Sequence, residues 1–198
     1  EFEEKLTLKR SNAHEIVAEE CKSIREGVAL LDITGFSRLE VKGENAEAWL
    51  DKIFATKLPK PGRARLAVML SPTGKLKGDL TLLNWGDGTF WIMGSYYLRA
   101  WHMRWFNDQI QDGVSVRDLG DDICGFALIG PNSHFILQKV AEGDVSKMRF
   151  MDCKRLDIGL IQSHVARMSV TGEMGFELNC KMGDHIALRR ILLEAGAD

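Results

Sequence analysis

Two carboxylates stand in strand-like surroundings that do not require them. Asp79 lies in Lys75-Leu76-Lys77-Gly78-Asp79-Leu80-Thr81-Leu82-Leu83. There Leu76, Leu80 and Leu82 alternate as a buried face with Gly78 in phase, and Lys77, Asp79 and Thr81 share the opposite face. Aspartate is depleted in strands because its short carboxylate competes with the backbone for hydrogen bonds. The turn Ser71-Pro72-Thr73-Gly74 leads into this strand and sets Asp79 close to a loop rim, where an acid or base could meet a substrate. Glu177 lies in Arg167-Met168-Ser169-Val170-Thr171-Gly172-Glu173-Met174-Gly175-Phe176-Glu177-Leu178. Two glycines make a tight turn there, and Phe176 and Leu178 straddle Glu177 so that it points away from them. Taken singly, each carboxylate reads better as a solvated strand residue, Asp79 paired with Lys77 or Lys75. Arg167 reads as an outward-facing ladder residue. His14, His102, His134, His164 and His185 are separated and lack the nucleophile context of a catalytic triad.

The elements that must position these groups follow from periodicity and punctuation. Ser11 or Asn12 can cap a helix through about Glu26, with Ile16, Val17, Cys21 and Ile24 as its apolar stripe and Gly27 as its stop. Strands are expected at Ala29–Asp32 and Ser37–Lys42, the latter alternating Leu39 and Val41 against Arg38 and Glu40. A helix over Glu44–Phe54 presents Ala46, Trp49, Leu50 and Phe54 to a core. After Pro59 and Pro61 come an extended Ala64–Leu70, the Asp79 strand, a Gly86-Asp87-Gly88 turn and a strand Thr89–Met93, read as a hairpin. A helix over Tyr97–Ile110 carries Trp101, Trp105 and Phe106. With Trp91, Tyr96 and Tyr97, its tryptophans read as core and helix packing, or as the border of a flat ligand. Strands at Val114–Asp118, Cys124–Ile129, Met151–Leu156, Ile161–Val170 and Phe176–Cys180 follow. A helix over Ser133–Val140 falls among them, and the last helix is capped by Asp184 and stopped by Gly196. Hairpins interleaved with helices predict an α+β fold with antiparallel sheets, rather than a parallel doubly wound one.

The chain has 198 residues, 45% of them hydrophobic, which is enough for a substantial core. A net charge of −2 and a pI near 6.3 give no electrostatic reason to expect nucleic acid or an anionic membrane. No apolar run approaches the roughly 18–20 residues that span a bilayer, so a soluble protein is expected. Cys21, Cys124, Cys153 and Cys180 form no CxxC pair and read as reduced, mostly buried thiols of an intracellular protein. No phosphate-cradling glycine motif is present. The chain begins without Met and ends two residues past Gly196, as expected of a piece of a longer protein.

Four motifs, in order, carry a resemblance that covers nearly the whole chain. Arg167…Thr171-Gly172-Glu173-Met174-Gly175-Phe176-Glu177 resembles the R-x-x-x-TGE-x-GFE signature of the folate-binding aminomethyltransferases, the glycine cleavage T-protein and its relatives. Met69-Leu70-Ser71-Pro72-Thr73-Gly74 through Asp79-Leu80 is similar to that family's ML-N-xx-G-G-xxx-DL segment. Ala127-Leu128-Ile129-Gly130-Pro131-Asn132 resembles its L-x-GP-N/A turn. Glu19 through Asp32 is most similar to the folate domains of dimethylglycine and sarcosine dehydrogenases or oxidases.

The resemblance implies a tetrahydrofolate-dependent one-carbon transferase, with residues 1–198 as the folate-binding portion. The family's C-terminal barrel and part of the folate pocket would lie outside this stretch, and the stretch alone is expected to be inactive. It implies that Asp79 engages the pterin and takes part in proton transfer, that Glu177 is the second pterin-binding carboxylate, and that Thr81 is a folate contact. A pterin edge offers N–H donors that two carboxylates can grip. Burial beside a flat ring would raise a carboxylate's pKa. Three positions depart from the pattern. Leu66 and Val170 stand where Tyr is common, and Ser71 stands where Asn is usual.

The expected partners are folate and a methylated amine donor, with no metal. FAD is expected only in a separate, linked or associated flavin domain. The expected location is cytoplasmic, or the mitochondrial matrix in a eukaryote. The alternatives are a non-catalytic folate-binding or assembly module and a demethylase of an O- or S-methyl donor. The iron–sulfur maintenance branch would carry a lysine-glycine-cysteine motif that is absent here.

Overall fold

In the computed structural model, which describes residues 3–5 and 7–197, ten strands form two five-stranded sheets. The elements are α1 (His14–Glu26), β1 (Ala29–Asp32), β2 (Ser37–Lys42), α2 (Ala46–Ile53), β3 (Arg63–Leu70), β4 (Leu76–Asn84), β5 (Phe90–Gly94), α3 (Arg99–Gln109), β6 (Ser115–Asp118), β7 (Ile123–Ile129), α4 (Ser133–Val140), β8 (Cys153–Ile158), β9 (Ile161–Ala166), β10 (Gly175–Lys181) and α5 (His185–Glu194). One sheet runs β1-β7-β10-β9-β8 and the other β3-β4-β5-β2-β6. Every pairing is antiparallel.

Each sheet buries one face under helices. Leu39, Val41, Leu80, Leu82 and Ile92 pack with Trp49 and Leu50 of α2 and Phe106 of α3. Phe126, Leu128, Phe176 and Leu178 pack with Leu137 of α4 and with Leu188 and Leu192 of α5. The other faces meet in part. Leu83, Trp85, Trp91 and Met93, on the side of the β3-β4-β5-β2-β6 sheet, form a cluster with Cys153 and Ala166 of the β1-β7-β10-β9-β8 sheet. The order of layers is therefore helices, sheet, sheet, helices. Period-2 alternation puts the polar-looking positions of the central strands between the sheets, so they do not face water.

That placement corrects several expectations. Arg38, read as the solvent side of β2, is fully buried. The α1 stripe is not buried by a core, since Ile16 and Val17 are both about half exposed. Ser11 and Asn12 do not occupy the α1 cap. Ala13 does, while the Asn12 side chain accepts from the Lys5 amide and donates to the Glu3 carbonyl. Leu76 is exposed because it pairs with Leu70 beyond a bulge at Met69/Leu70, past the cover of the helices. Asp184 holds the cap position of α5 without a side-chain hydrogen bond. Of the four thiols, Cys124, Cys153 and Cys180 are buried and Cys21 is exposed.

Candidate functional site

The β3–β4 hairpin is fixed at its tip. The Gly74 amide donates to the Ser71 carbonyl (2.9 Å), and the Lys75 amide donates to the Ser71 hydroxyl (3.0 Å), with Gly74 at φ 74°. The resulting register pairs Val68 with Asp79 and Leu66 with Thr81. Asp79, Thr81 and Leu83 thus share the face of β4 that looks toward the other sheet. At the Leu83 end that face is packed shut, and at the Asp79 end it opens into a cavity of about 570 Å³.

The opposite wall comes from β10. In its turn the Ser169 hydroxyl donates to the Glu173 carbonyl (2.6 Å), and Gly172 sits at φ 79°. Gly175 leaves little room for a side chain, since a Cβ there would lie 3.0 Å from the Leu128 carbonyl oxygen. Glu177 follows, opposite Ala127 on β7 and Ala166 on β9, two small neighbours that leave space for it. It is 1% exposed, and its Oε2 has no hydrogen-bond partner among the described residues. Burial pushes its carboxyl up to about 7, against the pull of the Arg38 guanidinium. An acceptor buried without a partner costs free energy, and a ligand donor in the cavity would relieve that cost.

Asp79, Thr81 and Glu177 therefore line one cavity although they come from different sheets. Leu66 and Val170, the two departures from the aromatic pattern, line it as well. Lys77 does not pair with Asp79; its Nζ lies 4.9 Å from the ring centroids of both Trp101 and Trp105. Asp79 is exposed and makes no ion pair among the described residues. Arg167 extends the β8–β9 ladder through its backbone, donating to the Asp152 carbonyl and accepting from the Met151 amide.

Sequence reading missed Asp32 and Arg38, and it left Tyr96 and Tyr97 between core packing and the border of a flat ligand. Asp32 is a third carboxylate on the cavity, held by the Thr34 amide (2.8 Å) and by His185 (3.1 Å). Burial raises its pKa, but Thr34 and His185 more than offset this and keep it below the usual range. Tyr96 and Tyr97 are not core. They are exposed, at 59% and 92%, and form part of the cavity wall. Arg38 lies behind the wall and donates to Asn179 Oδ1 (2.6 Å) and to the carbonyls of Ile33, Thr34 and Phe36 (2.9, 3.2 and 2.8 Å). The signal for Asp32 and Arg38 was a charged residue beside a turn whose strand neighbours face a core. Among the described residues no lysine, arginine or histidine lines the cavity. Its chemistry suits a ligand that offers N–H donors or positive charge alongside a flat apolar surface. Among the described residues no group of His, Cys, Asp and Glu is arranged to hold a metal ion, and no helix is long and apolar enough to cross a membrane.

Known proteins share this fold and sequence pattern. A family model described as the GCVT N-terminal domain matches residues 1–198. Human mitochondrial dimethylglycine dehydrogenase is 28% identical over 197 residues, covering 97% of this chain and 23% of that protein. The aminomethyltransferase of Anoxybacillus flavithermus is 29% identical over 185 residues, covering 92% of this chain and 51% of that one. The chain thus spans about a quarter to a half of the curated relatives it matches. Among solved structures, glycine cleavage system aminomethyltransferase T from Bartonella henselae superposes with a TM-score of 0.80 at 23% identity, over 89% of this chain and 48% of that one. A chain of heterotetrameric sarcosine oxidase from Corynebacterium sp. U-96 superposes at 0.68 and 19% identity, over 96% and 95% of the two chains. At these identities the superpositions bear on the fold alone.

Proposed function

Because the chain belongs to the GCVT N-terminal domain family, we propose that its cavity takes the pterin end of tetrahydrofolate and serves folate-dependent aminomethyl or methylene transfer. The intact protein would be a dimethylglycine- or sarcosine-type enzyme forming 5,10-methylenetetrahydrofolate from a methylated amine donor. Any flavin would sit in another domain or an associated chain. The observation that carries this reading is the convergence of Asp79, Thr81 and Glu177, from two sheets, on one cavity where a buried Glu177 oxygen lacks a partner. The residues fit the group in size as well, since about 570 Å³ lies within the usual range for small-molecule sites.

Bound there, tetrahydrofolate supplies the amine nitrogens that accept the one-carbon unit. The protein's own part divides between the two carboxylates. Glu177, desolvated and fixed between β7 and β9, receives an N–H of the pterin edge and sets its orientation. Asp79, at the open rim, accepts the proton released as the acceptor amine is alkylated and passes it to water. Leu80, Met93 and Phe36 supply the apolar surface against which a flat ring packs.

A second reading is favoured by one observation. Leu66 and Val170, where aromatic residues are usual in the family, are aliphatic and open to the cavity, at 62% and 56% exposure. They suit a folate-binding or assembly module without turnover, or a demethylase of an O- or S-methyl donor. Calorimetric titration of the full-length protein with 5-formyltetrahydrofolate tests the site, and folate-dependent turnover of Asp79→Ala tests the chemistry. Binding with turnover lost in Asp79→Ala is the expected result. Binding with no turnover in the parent selects the module, and absence of binding overturns both readings.

A further inference from the structure

We propose that Arg38 is a positioning residue of this cavity: its buried guanidinium holds the Ile33–Phe36 turn as a cavity wall and, bonded to Asn179 two residues from Glu177 on the same face of β10, sets a cation beside that buried carboxyl. Arg38 is 0% exposed, and it crosses from β2 of one sheet to Asn179 of β10 in the other. Four hydrogen bonds fix its plane, three of them to the Ile33, Thr34 and Phe36 carbonyls of the turn that carries cavity residues Ile33 and Phe36. This fork matches a rigid, planar, five-donor group and not a lysine ammonium. The fold makes room for it at Gly125, where a Cβ would stand 2.8 Å from the guanidinium and 2.7 Å from Asn179 Oδ1.

The four acceptors are neutral, so the hydrogen bonds satisfy the donors without cancelling the charge. Burial holds Arg38 down to about 10, and Glu177 is the foremost group opposing that effect. The relation is mutual, because Arg38 is the cation that offsets burial at Glu177. The other groups around the carboxyl cannot replace it. Asp32, Asp79, Tyr96 and Tyr97 on the cavity bring no positive charge, and Cys124 and Cys180 are buried thiols. His164 of β9 is held down to about 4 by burial and is neutral. A carboxylate with no cation near it in such a site would stay protonated and would lose the charge that makes it a strong acceptor.

The consequence for ligand binding rests on the folate reading, but the test does not need folate. In the full-length protein, the protonated-carboxyl infrared band lost in Glu177→Gln identifies Glu177, and its titration is followed in Arg38→Met and Arg38→Lys. Arg38→Met is expected to weaken the acid at least about tenfold, and Arg38→Lys by less than about threefold. Amide exchange at Ile33–Phe36 is expected to accelerate in both. Glu177 titrating within about threefold of the parent in Arg38→Met overturns the proposal and leaves the folate reading standing. If Arg38→Met does not fold at pH 8, Arg38→Met/Glu177→Gln is expected to fold, because the carboxylate left without a cation is gone. A double variant as unfolded as the single one also overturns the proposal.

Discussion

The two walls of the cavity carry the same functional group in opposite environments. On the β4 side Asp79 is exposed at the end of a hairpin. On the β10 side Glu177 is sealed between two alanines in the middle of a sheet, with its carboxyl lifted to about 7. A base that must exchange protons with water is better placed at a rim. A group that must grip and orient is better placed where water does not compete for its hydrogen bonds. On the folate reading the pair would divide its labour by solvent access, Asp79 exchanging the proton and Glu177 holding the ring, and substitutions on each wall test that division.

The largest effect is expected at the rim. Asp79→Ala in the full-length enzyme should lower folate-dependent turnover by about 10²-fold or more, the usual yield of a positioned acid–base group. The melting temperature should stay within a degree or two, because an exposed carboxylate with no ion pair contributes little to stability. Turnover within threefold of the parent would remove the catalytic role. A further contrast lies along β4 itself, whose inward face is open at Asp79 and packed at Leu83. Leu83→Ala should destabilise the fold by about 2–5 kcal/mol in urea titration, through the cavity it leaves. Affinity for folate in the folded fraction should change little.

The interior carboxylate should give a different signature. Well below pH 4.5 Glu177 is protonated in the folded and unfolded chain alike and adds nothing to the pH dependence. As pH rises toward 7 the unfolded chain releases the proton while the folded one keeps it, so stability falls, by at most roughly 3 kcal/mol. Glu177→Gln removes this loss. It should therefore match the parent near pH 4 and exceed it by about 1–3 kcal/mol at pH 8, while folate binding weakens about tenfold to a hundredfold through loss of a charge-assisted acceptor. Equal stability at both pH values would mean that the carboxyl is hydrated, and the contrast between the walls would collapse.

The same contrast marks what could be read from sequence. The helix-covered faces were legible because a hydrophobic residue at every second or every third to fourth position has one meaning there: Leu39, Val41, Trp49, Leu50, Phe126 and Phe176 all pack where the periodicity puts them. Strand positions and the antiparallel class followed from the same signal. The layer between the sheets was not legible. Alternation separates two faces of a strand, but it does not say whether the polar one meets water or a second sheet. Arg38 and Glu177 therefore read as solvated residues and are buried, and only the motif order linked Glu177 to Asp79. The α1 stripe erred the other way, since an amphipathic pattern demands a partner and names none.

The smallest expected effect concerns the cavity mouth, where both walls contribute an aliphatic residue in place of the family's usual aromatic one. Leu66 faces the cavity from β3, beside Thr81, and Val170 faces it from the turn before β10. A ring stacked on a pterin adds about 0.5–1.5 kcal/mol beyond the area it buries, so each tyrosine should tighten folate binding about three- to tenfold. Both positions are more than half exposed, so neither Leu66→Tyr nor Val170→Tyr needs to displace a packed neighbour. The walls differ in one respect that calorimetry can resolve. Leu66 belongs to the hairpin that presents Asp79, so Leu66→Tyr should tighten binding equally in the Asp79 parent and in Asp79→Ala. Val170 precedes the turn into Glu177's strand, so Val170→Tyr should lose part of its gain in Glu177→Gln, where the ring is no longer oriented by the buried acceptor. Equal gains for Val170→Tyr in both backgrounds would show that Glu177 and the mouth act independently, and orientation by the interior wall would then reach no farther than its own hydrogen bond.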